Sequence, residues 1–440
     1  MLSLLRQIVS VAAIAGVTGG FLGASALPSS DLDSRTFQQM EKRGAELWEQ
    51  LFKRTPPSSW FEERLQARVE WIQKRDQQPV AEPSQLTANS AEPSGKNHTG
   101  YKNPVAAQFS KSPHYGAFSA FDWHSLNLGT HQELIELDLF LHAAKKFSVQ
   151  DYKEAGLSND DRALLHYFGL QEVGHAKVLS NLLGAKAPKL CEYEYPYHDV
   201  RSYLAFNEGL TRWGESGVYG FLPSLDNRAN AQILLQSITT EARQQYTFRQ
   251  WLGISPVPVW FEVGIPQAWA WTLLSRYITS CPSDNVPVGF SIFPRLNVLN
   301  QPDIAQIGEK AGGAAIARNT SKNIHPGEMV KFSWDQPGKK QGPYHQLTEI
   351  LAHNKTPRFA AWVNQYNVTY TPLEGISKKG DKTYAHTKFP GGNVLPGLDQ
   401  PTLAGTVFVA ITNSDTYYTP LNLTLINHAT LAGPSLFQAS

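Results

Sequence analysis

Cysteine is almost absent from this chain: Cys191 and Cys281 are the two present in 440 residues, beside three methionines. At most one intramolecular disulfide can form. Two readings stay open, a bond joining residue 191 to residue 281 in an oxidising compartment, or two buried free thiols. An excess of charge is also lacking. Lys and Arg total 39 against 38 Asp and Glu, for a net charge of +1. A near-neutral chain with no basic block excludes ordinary nucleic-acid binding. After the N-terminus no apolar run is long enough to cross a bilayer. There is no G-x-S-x-G elbow, no P-loop and no dinucleotide fingerprint, so the commonest hydrolase, NTPase and dehydrogenase sites are excluded.

What is present supports sizeable cores. Hydrophobic residues make up 41% of the chain and aromatic residues 11%, and the length suits two ordinary domains plus extras. The N-terminus reads as a signal peptide over residues 1–26. Arg6 supplies the positive start, Ile8 to Leu22 the apolar run, and Ala24-Ser25-Ala26 the cleavage site. A membrane anchor is the weaker reading, because the run is Gly-rich and short. The mature protein is therefore expected outside the cell, secreted or associated with the wall, with no membrane span after cleavage. The C-terminal Leu436-Phe437-Gln438-Ala439-Ser440 lacks a GPI-type tail. Five N-x-S/T sequons fit that route, at Asn97, Asn319, Asn354, Asn367 and Asn422. Residues 27–75 read as a charged helical segment, and residues 76–113, rich in Pro, Ser, Asn and Gln, as a disordered linker.

Helical periodicity then fills residues 114–256. The spacing predicts helices over about Asn127–Phe147, Asp160–Leu183, Val200–Leu222 and Ala229–Leu252. Ser158 is an N-cap signal; Gly184, Pro223, Gly253 and Pro256 are stops. Four long helices in one block imply a four-helix bundle. Residues 257–285 read as a connector. From residue 286 the character changes to Pro, Gly and period-two alternation. In Ala360 to Tyr370, Trp362, Tyr366, Val368 and Tyr370 share one parity. Val407, Val409 and Ile411 share a face, as do Leu421, Leu423 and Leu425 with Asn422 opposite. Residues 286–440 are expected to form a β-sandwich of Ig-like size, which makes the fold class α+β multidomain. Trp362 reads as core rather than as a glycan platform, and Asp335 as a turn residue.

The chemistry lies on the helical stripes. On the second helix Leu165, Phe168, Glu172, His175, Leu179 and Leu182 follow i, i+3/i+4 spacing, so a carboxylate and an imidazole point into an apolar face. Such groups are costly there unless paired or ligating a metal. On the fourth helix Glu241 lies in the stripe of Leu234, Ile238, Phe248 and Leu252, with Gln244 at the offset that His175 has from Glu172. On the third, Glu208 and Glu215 share a face with Leu204, Thr211 and Val218. On the first, Glu133 and Glu136 lie on neighbouring apolar stripes and are not separable. Each helix thus sends a Glu inward, the plan of a di-metal carboxylate site. Its candidates are Glu133, Glu136, Glu172, His175, Glu215, Glu241 and Gln244, with Glu208 as the alternative to Glu215. Oxygen-rich ligands with imidazole suit iron or manganese. The opposing reading is a buried Glu172–His175 pair, with Glu241 paired to Arg243 or Arg249. His131 and His142 read as surface or cap residues.

Residues 122–254 resemble the ferritin-like domain of secreted fungal stress-response and sexual-development proteins, and more distantly plant desiccation-related proteins. The resemblance lies in His131-Gln-Glu133-Leu-Ile-Glu136-Leu-Asp-Leu-Phe140, Gln171-Glu172-Val-Gly-His175, Gly214-Glu215-Ser-Gly-Val-Tyr219 and Glu241-Ala-Arg243-Gln244. In the C-terminal half it extends to Phe332-Ser-Trp334-Asp-Gln-Pro-Gly338, Phe359-Ala-Ala-Trp362 and Ala432-Gly-Pro434. It implies a ferritin-like metal site and, if there is activity, metal-dependent redox chemistry. The sequence departs from the pattern at Gln244, where such domains often carry His. A second class of function is therefore kept: a non-catalytic extracellular protein with a degenerate bundle, binding wall polysaccharide or a protein partner. A closed iron-storage cage is not expected, because a fused β-domain and glycans would obstruct it.

Overall fold

The computed structural model describes residues 115–308, 324–349, 351 and 355–439. The expected signal peptide, N-terminal helical segment and linker, and the sequons at Asn97, Asn319 and Asn354, lie outside the described residues.

Among the described residues, four long helices come first: α1 (Ala120–Lys146), α2 (Asn159–Leu183), α3 (Val200–Phe221) and α4 (Arg228–Leu252). Each begins at a side-chain cap, because the first N–H groups of a helix have no partner within it. Ser119 caps α1, Ser158 and Asp161 form a reciprocal box at α2, Asp199 caps α3 and Asn227 caps α4. Gly253 closes α4 at φ 75°, a conformation that disfavours any residue with a Cβ. Helix α1 starts at Ala120 rather than near Asn127, because Ser119 accepts from the Asp122 amide and holds the extra turns. Helices α1 and α2 pack together, as do α3 and α4, and α1 also lies on α3.

Residues 257–285 are more than a connector. They contain α5 (Gln267–Leu274), every residue of which is buried, including Trp269 and Trp271 at 0% exposure. No period stands out there because an element buried all round has no polar face to mark one. Cys191 and Cys281 are joined by a disulfide beside the short antiparallel pairing of Glu192–Tyr193 with Ile278–Ser280.

Among its described residues the C-terminal region holds two four-stranded antiparallel sheets, beside a short pairing of Lys340–Gln341 with Gln346–Leu347. The eight strands of the two sheets are β1 (Leu296–Val298), β2 (Met329–Asp335), β3 (Phe359–Asn364), β4 (Asn367–Pro372), β5 (Glu374–Lys379), β6 (Lys382–Lys388), β7 (Thr406–Thr412) and β8 (Thr430–Gln438). One sheet has the order β1-β2-β6-β5 and the other β8-β7-β3-β4. Val407, Val409 and Ile411 share a core with Trp362, Phe332 and Phe437, between the sheets. Phe408 and Ala410, on the other face of β7, join Ala361 and Val363 in the core of the helices. Helix α5 packs on both α3 and β8. The second sheet is thus covered on both faces. Asp335 ends β2 and pairs with Lys339 at 3.1 Å.

Two strand expectations are corrected. Residues 360–370 are not one strand but the hairpin β3–β4, with Asn364 opposite Asn367 and Gln365 at φ 53°. The reversal puts Val368 and Tyr370 on the face of Ala361 and Val363, opposite Trp362. A shared parity means a shared face only while the chain runs straight. Asn367 sits at the turn, half-buried. Residues 421–426 are not a strand either. Leu423–His428 is a 3₁₀ turn that buries Leu423 and Ile426 and leaves Leu421 85% exposed, and the i, i+3 spacing of the buried pair matches that helix. Asn422 remains exposed. Among the described residues no helix is long and apolar enough to cross a membrane.

Candidate metal centre

The stripes read from the sequence converge in space. Glu133 from α1, Glu172 and His175 from α2, and Glu241 from α4 each offer one ligand atom, and these atoms all lie within 4.8 Å of one another. His175 Nδ1 is 3.0 Å from Glu172, 3.3 Å from Glu133 and 3.7 Å from Glu241. The three carboxylates are buried, and the imidazole edge keeps 13% of its surface. The other imidazole nitrogen is held from α4. Thr240 Oγ1 donates to the Ser237 carbonyl at 2.7 Å, so at 3.1 Å it can only accept from His175 Nε2–H. That places a proton on Nε2 and leaves Nδ1 facing the carboxylates, where a bound cation would take the place of the Nδ1 proton, the outer-shell arrangement of a metal-ligating histidine.

Glu136 and Glu215 flank this group. Glu136 Oε1 accepts from Gln132 Nε2 at 2.7 Å. Its other oxygen, both oxygens of Glu215, and one oxygen each of Glu133 and Glu241 are buried without a hydrogen-bond partner. Burial raises the Glu133 carboxyl to about 7, against the opposing pull of His175. Burial, then repulsion from neighbouring carboxylates, pushes Glu136 and Glu241 well above the usual range. Burial does the same to Glu215, with Glu262 adding to it. Burial opposes ionisation of Glu172 as well, but His175 and the Gln244 amide hold it below its ordinary value. For His175, burial is outweighed by Glu172 and Glu133, and the imidazole is pushed up to about 12. Protons thus crowd where acids meet without enough positive charge, and a divalent cation could replace them. One imidazole among carboxylates is a donor set that could hold a divalent metal ion.

The remaining candidates are placed as follows. Gln244 directs its amide nitrogen at Glu172 Oε1, 2.5 Å away, and at Gln171 Oε1, 3.2 Å away; it orients a ligand-type carboxylate from α4. Glu208 is engaged elsewhere, by Arg249 Nη1 at 2.5 Å and the Thr406 hydroxyl at 2.6 Å. Arg243 bonds the Thr239 carbonyl, so neither arginine reaches Glu241, whose ion contact is His175. His142 is exposed at the surface. His131 is not a surface or cap residue: it is 0% exposed, 3.9 Å from Cys191 Sγ and 3.3 Å from the Tyr344 hydroxyl. Burial lowers its pKa to about 4. The segments that cover it arrive from far along the chain, which helix periodicity cannot reveal. Helix periodicity does not mark Thr240, whereas Gln132, four residues before Glu136, lies on the face of that carboxylate.

A family model for the ferritin-like domain matches residues 122–253. Protein rds1 of Schizosaccharomyces pombe (strain 972 / ATCC 24843) is 40% identical over 339 residues, which span 74% of this chain and 83% of the relative. With this identity over most of both chains, and with carboxylates from α1, α2 and α4 meeting at one imidazole, the chain belongs to the ferritin-like protein family that includes protein rds1.

Proposed function

We propose that this is a secreted, stress- or development-associated ferritin-like protein whose α1–α4 form a four-helix bundle around a di-iron or di-manganese centre, with the two C-terminal sheets as an Ig-like sandwich. The observation that carries the reading is the convergence of Glu133, Glu172, His175 and Glu241 within 4.8 Å. Glu136 and Glu215 bring further unpartnered carboxylate oxygens, which suits a second ion. When bound, such ions supply reversible one-electron chemistry toward oxygen or peroxide. The chain's own part is to exclude water from the carboxylates, to fix the His175 tautomer through Thr240, and to orient Glu172 through Gln244.

The test is the metal content of the glycosylated secreted protein beside a Glu172→Ala/His175→Ala variant. Near-stoichiometric iron or manganese, lost in the variant, is the expected result. A folded wild type that takes up neither metal after reloading sinks the reading. One observation favours a second reading, a non-catalytic extracellular or wall protein with a degenerate bundle: Gln244 directs its amide nitrogen at Glu172, where a fourth-helix His would offer a lone pair.

A further inference from the structure

The aromatic residues beside the acid cluster are ordered as a path. Gln132 begins it. Its nitrogen donates to Glu136, and its oxygen accepts from Trp213 Nε1–H at 3.1 Å. Gly214 leaves the room for this, since a Cβ there would lie 2.7 Å from Gln132 Nε2. Trp213 stacks on Tyr277, with centroids 5.7 Å apart and planes 2° from parallel. Phe206 bridges Tyr277 at 4.8 Å to Tyr195 at 5.8 Å. Tyr195 and Tyr197 stack at 5.4 Å.

Both of these tyrosines end on a base. Tyr195 O–H donates to Asp138 Oδ2 at 2.8 Å, and the Tyr197 hydroxyl meets Nδ1 of the exposed His142. Beside Tyr197 opens a cleft of about 430 Å³ lined by Lys146, Phe147, His198 and Arg201 among others. The Phe147 ring lies 5.9 Å from that of Tyr197. Packing alone accounts for aromatic burial. It does not require that two stacked phenols each carry a proton acceptor, or that an indole N–H be tied through one amide to a buried acid cluster.

We propose that Trp213, Tyr277, Tyr195 and Tyr197 form a one-electron relay from the acid cluster to the His142 surface, where a small phenol in the cleft supplies electrons to hydrogen peroxide reduced at the cluster. The proposal rests on the metal loading proposed above. The balance closes: peroxide takes up two electrons and two protons and leaves as two waters. Two phenols each lose one electron and one proton and leave as phenoxyl radicals. Within the relay, oxidised Tyr197 passes its hydroxyl proton to His142 and regains it when the phenol refills the hole.

Two arms test this. In the first, iron-loaded protein is mixed with hydrogen peroxide, frozen within the turnover time, and read by electron paramagnetic resonance. A tyrosyl radical is expected in the wild type. It should be absent from Tyr195→Phe/Tyr197→Phe and should fail to form in Trp213→Phe, with iron content unchanged and both variants folded, at a melting temperature lowered by the lost buried hydrogen bonds. A radical of wild-type yield in Trp213→Phe, or none in the loaded wild type, overturns the relay. The second arm needs no metal: a photo-generated one-electron oxidant acts on metal-free protein, and a spin trap locates the radical by mass spectrometry. Preferential trapping at Tyr195 and Tyr197 supports the relay. Trapping that follows exposure, highest among the described residues at Tyr417 and Tyr167 (69% and 59% exposed), overturns it. Failure to bind iron with success in the second arm removes the metal reading and leaves the conduit.

Discussion

Replacing Arg249 with methionine should destabilise the protein by about 3–5 kcal/mol, the usual cost of leaving one member of a buried ion pair alone. The guanidinium is 1% exposed and the Glu208 carboxylate 2%, with 2.5 Å between them. Arg249 Nε also donates to the Ser255 carbonyl at 2.6 Å. Without Arg249, Glu208 keeps the Thr406 hydroxyl and the more distant charge of Arg212, but loses its contact ion partner in a buried setting. Glu208→Leu strands the guanidinium in the same way. The double variant Glu208→Leu/Arg249→Met removes both charges and should be more stable than either single variant by about 2 kcal/mol or more. Urea unfolding of the four proteins, with midpoints and slopes compared, measures this. The reasoning is refuted if each single variant loses less than about 1 kcal/mol, or if the double variant simply adds the two losses. The same cycle bears on the site, since Glu208→Gln should leave metal content unchanged while Glu172→Ala abolishes it.

Thr240→Val should weaken metal binding roughly 10- to 100-fold while preserving the fold, because it removes the acceptor that fixes the His175 tautomer; titration with manganese measures the change. Cys191→Ser/Cys281→Ser should lose about 4–5 kcal/mol in denaturant, given the 90-residue separation that the bond closes, and an unchanged midpoint would refute it. Burial lowers His166 to about 3 from an ordinary 6.5, helped by Arg162. The unfolded chain therefore binds the extra proton first, and the stabilisation from neutral His166 is present above pH 6.5 and lost as pH falls toward 3. That amounts to roughly 3 kcal/mol at pH 4 relative to pH 7. His166→Phe should flatten that part of the acid unfolding profile, and a slope identical to wild type would contradict it.

The helices were legible because their information is local. Ser158 with Asp161, and Gly253 after Leu252, mark ends that the folded chain uses, and the stripe carrying Glu172, His175 and Leu179 needs only a 3.6-residue period. The convergence of Glu133, Glu172, His175 and Glu241 follows once those stripes face one another. Partners between elements were not legible. Glu208 and Glu215 lie on one face of α3, and their difference is set by Arg249 and Thr406, 41 and 198 residues from Glu208. His131 is hidden by Tyr344, 213 residues away. The hairpin at Gln365 escaped because alternation continues through a two-residue reversal, and α5 because burial on every side leaves no amphipathic trace.

The double covering of β7 bears on how the chain is made. Helix α4 leaves the ribosome with Arg249 and the apolar faces of its neighbours complete in sequence but without their cover. Thr406, which Arg249 meets, follows 157 residues later, a wait of roughly 10 to 30 s at ordinary rates of synthesis. Throughout that interval the helical half presents to its surroundings a surface meant for Phe408 and Ala410. The helical half thus completes its packing only once β7 has been made, and a truncation before β7 would be a client for chaperones rather than a smaller working protein.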